Sequence, residues 1–144
     1  MNKKYFIALI VAGFLVTGVS YAHGVDLGVD PGILPTSPFY FVKEWRRAVQ
    51  RVFTFNAVKK ADLELNILNE RAAEAQKISV DDPQNIEAVK KALGNYIEAH
   101  DRLANRLRAL KETSQSPNVD KLLDKLVEKT AKHESLFEDI SKDN

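Results

Sequence analysis

The sequence predicts an all-α protein: an up-down antiparallel bundle of three long helices with a short amphipathic N-terminal helix. Three long segments carry apolar residues at alternating steps of three and four, the periodicity of helices that pack along one seam, as in a coiled coil. Brief segments containing Pro, Asn, Asp or Ser separate them, and short turns between long helices favour antiparallel neighbours. No segment shows the alternating pattern of a β-strand.

The composition narrows the classes of function. With 144 residues the chain has room for one domain and a targeting segment. A net charge of +1 does not favour a nucleic-acid binder. The absence of Cys excludes disulfides, thiolate zinc sites and covalently attached c-type haem. The sequence also lacks a Gly-rich phosphate loop, a G-x-S-x-G motif and an H-E-x-x-H motif, so we expect no catalytic site and no enzyme.

The first 22 residues have the features of an export signal. Two Lys residues form a basic flank, residues 6–16 are an apolar run of eleven, and the small residues Ser20 and Ala22 suit a signal peptidase. These features predict cleavage after Ala22. An uncleaved anchor stays open as the alternative, because the eighteen residues of 5–22 are borderline for spanning a bilayer. In both cases we expect an exported, extracytoplasmic protein, whether periplasmic, at the cell surface or secreted.

The mature chain begins with an arm and a short helix. Residues 23–37 contain three Gly and two Pro without an apolar period, which predicts a flexible arm. The helical domain follows over residues 38–144. Ser37 is a suitable N-cap and Pro38 suits the first helical position, so we expect the first helix to run to about Phe53.

Each long helix has a predicted start and a predicted core stripe. Asn56 is the expected N-cap of the second helix, Asp82 and Pro83 begin the third, and the fourth begins near Val119. The expected stripes are Ala61, Leu65, Leu68, Ala72 and Ala75 in the second helix, Ile86, Val89, Leu93, Tyr96, His100, Leu103, Leu107 and Leu110 in the third, and Val119, Leu123, Leu126, Thr130, His133, Phe137 and Ile140 in the fourth.

Two His residues on these stripes are candidates for a metal or haem site. In an antiparallel hairpin that turns near residues 115 and 116, His100 and His133 lie nearly opposite each other, with Glu64 or Asp62 at the same level on the second helix. Two imidazoles and a carboxylate can bind zinc or copper, and two imidazoles can hold a b-type haem. The alternative is a polar layer that fixes helix register, and we favour it, expecting no metal and no cofactor.

The segment at residues 35–55 concentrates rings and basic side chains, with six of the chain's twelve aromatic residues. One interpretation is a helix on a membrane surface, with rings at the interface and Arg at the headgroups. The other is a helix whose rings cover the end of the bundle while its Arg side chains meet acidic faces. The candidate interaction or docking residues are Phe39, Tyr40, Phe41, Trp45, Arg46, Arg47, Arg51, Phe53 and Phe55.

We expect docking to dominate, because large unpacked rings would leave an apolar patch that soluble proteins rarely expose. In that arrangement the rings of Phe41, Trp45 and Phe53 are mainly inward. The basic side chains left outside are those of Arg46, Arg47 and Arg51.

Two stretches resemble a family of exported prokaryotic proteins known only as a domain of unknown function. They are PGILPTSPFYFVKEW at residues 31–45 and FTFNAVKKADLELNILNERAAEA at residues 53–75. At Asn56-Ala57 the chain departs from the family, where Asp-Pro is expected. The residues that match the pattern are Pro31, Gly32, Pro35, Ser37, Pro38, Tyr40, Lys43, Lys59, Lys60, Ala61, Leu63, Arg71, Glu74 and Ala75. The resemblance implies an exported all-helical domain and supplies no catalytic residues.

The expected function is therefore a non-enzymatic, extracytoplasmic helical module with a binding or structural role. The expected partner is a protein or another component of the envelope, with a weak, salt-sensitive contact to an anionic membrane surface and no nucleic acid. The alternative function is a metal- or haem-binding bundle that uses His100 and His133.

Overall fold

The computed structural model describes residues 24–110 and 117–142, and within these ranges the chain is helical without any strand. The four helices of this part are α1 (Tyr40–Phe53), α2 (Ala57–Asp81), α3 (Ile86–Leu110) and α4 (Pro117–Lys142). The prediction of an all-α protein with three long helices and a shorter one before them is confirmed. The predicted export signal at residues 1–22 and the predicted turn near residues 115 and 116 lie outside the described residues.

The apolar core lies between the three long helices. Leu65, early in α2, belongs to the same cluster as Leu103, late in α3. Ile78, late in α2, belongs to another cluster with Val89, early in α3. All five residues of the seam predicted in α2 are buried, and three of them are alanines. These small side chains allow α3 to lie close against α2.

The core stripes of α3 and α4 differ from the predicted ones at three positions. In α3, His100 is exposed and the neighbouring Ala99 is fully buried. In α4, Leu123 and Thr130 are exposed, and Leu122 is buried. The departure in α3 is local, because the predicted stripe is buried again at Leu103 and Leu110.

Local polar contacts set the ends of α2 and α3. Asn56 caps α2 as predicted, because its Oδ1 accepts a hydrogen bond from Lys59 N at 3.0 Å. The prediction that Asp82 caps α3 is wrong. Its backbone N–H closes the end of α2, and Asn85 takes the capping role by accepting from Ala88 N at 3.1 Å.

The first helix starts two residues later than predicted, at Tyr40. Ser37 still organises the turn before the helix, since its Oγ accepts a hydrogen bond from Phe39 N at 3.2 Å. Its backbone carbonyl accepts from Tyr40 N at 3.1 Å. The hydroxyl therefore serves a turn that leads into α1 and does not cap the helix itself.

The arm that precedes α1 is irregular but follows the surface of the bundle. It makes two successive turns, in which Asp26 Oδ1 accepts from Gly28 N at 2.8 Å and Asp30 Oδ1 accepts from Gly32 N at 2.7 Å. Both Gly residues have positive φ, 65° and 60°, which other residues rarely adopt. Side chains of α2 and α3 bind the arm's carbonyls: Asn69 to Leu27, Gln76 to Val25 and Lys91 to Pro35. The arm predicted to be flexible thus has defined contacts.

Candidate interaction site

The first helix packs on the bundle through its charged side. Arg47 is only 1% exposed and Lys43 only 7%, whereas Trp45 is 69% exposed. Along α1, Lys43, Arg47 and Arg51 recur every four residues, so they share one face that points towards α2. The helix is therefore oriented with its basic stripe inward and the rings of Phe41, Trp45 and Phe53 outward.

This orientation corrects the predicted docking of the rings. Phe41, Trp45 and Phe53 are predicted to face inward, and they are 68%, 69% and 71% exposed. Arg47 was expected outside and is among the most completely buried side chains of the described chain. Arg46 is exposed, as predicted, and Arg51 has a side chain that is 24% exposed.

Glu74 of α2 is the centre of the buried contacts. Its side chain is fully buried and accepts hydrogen bonds from four donors, three on α1 and one on α2 itself. The donors are Tyr40 Oη at 2.8 Å, Lys43 Nζ at 2.6 Å, Arg71 Nη1 at 2.9 Å and Arg47 Nη2 at 3.2 Å. Lys43 Nζ also donates to the carbonyls of Pro31 and Ile33, so the same group fastens the arm.

Two further carboxylates balance the charge around Glu74. Glu70 accepts from Arg47, and Glu44 of α1 accepts from Arg47 Nη1 at 2.8 Å. Both oxygens of Glu44 accept from Arg71 at 2.7 Å. We call this group of three cations and three carboxylates the charged cluster; its members are Lys43, Glu44, Arg47, Glu70, Arg71 and Glu74.

A smaller ionic contact fixes the C-terminal half of α1. Arg51 Nε donates to Glu64 Oε1 at 2.8 Å, and the Glu64 side chain is only 2% exposed. Arg102 of α3 approaches the other oxygen of Glu64 at 3.5 Å. Glu64 therefore connects three helices by charge.

The pKa values of the two buried Arg side chains, Arg47 and Arg71, shift in opposite directions. Burial lowers the pKa of Arg47, but its hydrogen bond to Glu70 and the charges of nearby carboxylates outweigh that effect and raise the pKa. For Arg71, burial prevails over the attraction of Glu74 and the pKa is lowered. Each cation needs its carboxylate partners, because an unpaired buried charge is strongly destabilising.

The outward side of α1 is a continuous apolar surface. Of the eleven large apolar side chains exposed in the described chain, seven lie between residues 39 and 55. We call this surface the apolar face of α1. It consists of Phe41, Val42, Trp45, Val52 and Phe53, with Phe39 and Phe55 flanking the helix at its two ends. Tyr40, also a predicted interaction residue, is instead buried.

The two candidate His residues occupy different environments. His133 is 2% exposed, while the side chain of His100 is 58% exposed, with Asp101 beside it. Both ring nitrogens of His133 are engaged, Nε2 with Asn69 Oδ1 at 2.9 Å and Nδ1 with Tyr96 Oη at 3.2 Å. The arrangement therefore does not bring the two imidazoles to a common site. The third candidate ligand, Glu64, is engaged by the Arg residues described above.

The polar contacts of His133 form a chain with one consistent direction. The amide of Asn69 donates to Leu27 O, so its Oδ1 accepts from His133 Nε2–H, and His133 Nδ1 accepts from the Tyr96 hydroxyl. Burial, with a smaller effect of Lys129, lowers the pKa of His133 to about 4. The imidazole is thus neutral near pH 7, and it links α3, α4 and the arm to α2.

No group of three or more His, Asp or Glu side chains within residues 24–110 and 117–142 is placed to hold a metal ion. The helices of the same ranges are also too short or too polar to cross a bilayer. What distinguishes the described chain is the pairing of the charged cluster with the apolar face on opposite sides of α1.

A family model for a domain of unknown function, DUF5667, matches residues 32–143. The chain belongs to this family. No curated protein and no solved structure matches it.

The DUF5667 match begins within the arm and includes all four helices. Four of the pattern residues quoted from the sequence meet in the charged cluster or at its edge: Tyr40, Lys43, Arg71 and Glu74. In this DUF5667 domain Tyr40 and Lys43 of α1 and Arg71 and Glu74 of α2 are therefore parts of one contact, which attaches α1 and the arm to the bundle.

Sequence reasoning missed the charged cluster, although a signal was present. Basic residues at every fourth position of α1 and the acidic pair Glu70 and Glu74 at the same spacing on α2 are complementary stripes. Isolated acidic residues on a helix exterior are usually solvated, so the sequence alone does not predict that Glu70 and Glu74 pair with α1.

Proposed function

We propose that this DUF5667 domain is a non-enzymatic, extracytoplasmic binding module that acts through the apolar face of α1. The observation that carries the proposal is the orientation of that helix. Its most apolar side is turned to solvent, while Lys43 and Arg47 on the opposite side are buried. Exposed apolar surface of this extent on a protein is characteristic of an interaction site.

The charged cluster supports the proposal, because it fixes which side of α1 faces outward. Rotating the rings inward would remove Lys43 and Arg47 from Glu74, and a buried carboxylate without partners is costly. The outward position of the apolar face of α1 is thus determined by the packing of α1 on α2. The three long helices, for which we propose an up-down-up course, serve as its rigid support.

Two further observations support the extracytoplasmic location and the non-enzymatic role. The basic flank and the apolar run at residues 6–16 support export. The convergent polar groups of the described chain are engaged with each other, which supports binding over catalysis. The metal- or haem-binding alternative has no specific observation in its favour, since both nitrogens of His133 are occupied.

Site-specific photo-crosslinking tests the proposal in the cells that produce the chain. A photoreactive residue replaces Phe41 on the apolar face of α1 or, as a control, Asn105 on the exposed surface of α3. We expect a dominant adduct from position 41 that position 105 does not give. Equal labelling from the two positions, or none from either, contradicts the proposed function.

A further inference from the structure

We propose that the partner of the apolar face of α1 is the interfacial region of a lipid bilayer, with α1 lying parallel to the membrane plane. This inference rests on the proposed function, because it names the partner of the same surface. The helix is amphipathic, with the rings of Phe41, Trp45 and Phe53 exposed on its outer side, and none of the described helices is suited to span a membrane. A helix of this kind lies on the bilayer and does not cross it.

The side chains of the face suit the boundary between headgroups and acyl chains. Trp45 lies near the middle of α1, and Phe41 and Phe53 lie towards its two ends. Phe39 and Phe55, 65% and 81% exposed, continue the apolar surface beyond the helix on both sides. Trp and Phe on the apolar side are typical of helices that bind at the membrane interface.

The distribution of charge determines how the helix would bind. Three of the four cations of α1, Lys43, Arg47 and Arg51, are paired with carboxylates of α2. Arg46 is the exposed basic residue of the helix, and its one acid, Glu44, is engaged by Arg47 and Arg71. Attraction to anionic headgroups is therefore weak, and insertion of rings supplies the affinity. This differs from the salt-sensitive contact that the sequence alone favours.

The shape of the face favours a bilayer over a second copy of the chain as its partner. The outer side of a single helix is a convex ridge, about 21 Å long for the 14 residues of α1. A bilayer conforms to such a ridge, whereas a protein partner has to present a matching groove.

The chain outside the described residues supports the same partner. The apolar run at residues 6–16 ends 24 positions before Tyr40, the first residue of α1. Whether that run is removed after export or kept as an anchor, it brings the chain to a membrane. The arm is bound to the bundle from Val25 onwards and leads directly into α1, so a retained anchor would hold α1 within a short distance of the bilayer.

Vesicle binding of the chain that starts at His23 tests the inference. Circular dichroism should first show that this chain is helical. The probes are vesicles of phosphatidylcholine alone and vesicles with added phosphatidylglycerol. Cosedimentation measures partitioning, and Trp45, the one Trp of the chain, reports insertion by a blue shift of its emission.

We expect binding to phosphatidylcholine alone, with less than about a twofold change between roughly 50 mM and 500 mM salt. Replacing Phe41 and Trp45 by Ser should weaken partitioning at least about tenfold, because two exposed rings are lost. The matched control replaces Leu123 and Val127, exposed apolar residues of α4, by Ser and should bind like the parent chain.

Three outcomes overturn the inference. Binding only to anionic vesicles that is lost at high salt would assign the attraction to charge. If the chain does not bind vesicles but forms a dimer, and the Phe41 and Trp45 replacements dissociate that dimer, the partner of the face is a second copy of the chain. The proposed function would then stand. If vesicles do not bind and the position-41 crosslink described above is also missing, both the inference and the proposed function fail.

Discussion

Helices α1 and α3 are both amphipathic, yet they bury opposite kinds of surface. In α3 the apolar residues Val89 and Leu103 face α2 and are nearly inaccessible to solvent. In α1 the residues facing α2 are Lys43 and Arg47, and Trp45 is in solvent. Hydrophobic burial positions α3, whereas ion pairs and hydrogen bonds position α1.

The difference shows that an amphipathic pattern defines two faces without deciding which one is buried. That choice depends on the neighbouring surface. Helix α2 offers Leu65 and Leu68 on the side that receives α3, and Glu70 and Glu74 on the side that receives α1. A Phe or Trp ring placed against Glu74 would leave this buried carboxylate without its cations. The charged side of α1 is therefore the one that packs on α2.

The strongest test of this comparison removes the centre of the charged cluster. Replacing Glu74 by Gln should lower the free energy of unfolding by about 3–5 kcal/mol, because buried cations lose a shared carboxylate. Urea denaturation measures the change. The control is Glu87→Gln, whose side chain is 87% exposed and should matter little. A Glu74→Gln protein as stable as the parent would mean that the cluster does not hold α1.

Truncating the apolar contact of α3 should be nearly as costly. Leu103 is 3% exposed within the main cluster, so Leu103→Ala should destabilise the protein by about 2–5 kcal/mol through lost burial and a cavity. The same denaturation experiment applies. A loss under about 1 kcal/mol would indicate that α3 is not held by its apolar face as described.

The polar contact of His133 predicts a dependence on pH. In the unfolded chain the imidazole takes up its proton near the ordinary pKa of 6.5, whereas in the fold it does so only near pH 4. Between these values the unfolded state binds more protons, so stability falls as the pH drops from 6.5 to 4, by roughly 2–3 kcal/mol.

Comparison of variants isolates that contribution from other titrating groups. Replacing His133 by Gln should flatten the profile of unfolding free energy against pH over this window. The equivalent replacement of His100 should keep the parent's slope, because His133 is then intact. Parallel profiles for His133→Gln and the parent chain would contradict the assignment.

The smallest effect is expected on the apolar face of α1 itself. Trp45→Ala should change the free energy of unfolding by less than about 0.5 kcal/mol, since the ring is 69% exposed. In the parent chain without lipid, the emission maximum of Trp45 should be red-shifted, as for a ring in water, and acrylamide should quench it readily. A blue-shifted maximum, or a decrease of more than about 2 kcal/mol in the free energy of unfolding on truncation, would place the ring inside the protein.

Much of this fold follows from local sequence patterns. The steps of three and four in α2 identify Ala61, Leu65 and Leu68 as core, and all are buried, because a helical face is set by periodicity alone. The cap at Asn56 follows from a side chain acting on its own turn. The departures at His100, Leu123 and Thr130 are local, since Leu103 and Leu110 further along α3 are buried as predicted.

The candidate site could be located from the sequence but not oriented. Clustered rings and basic residues at positions 39–55 single out α1 as the unusual segment. The inward side is decided by Glu70, 23 residues beyond Arg47, and Glu74, 31 residues beyond Lys43, which meet α1 only when α2 packs beside it. Likewise, His133 binds Asn69 and not His100 because three helices converge there. Periodicity is a property of one helix, whereas the pairing of buried charges is a property of two, and so only the tertiary structure could decide it.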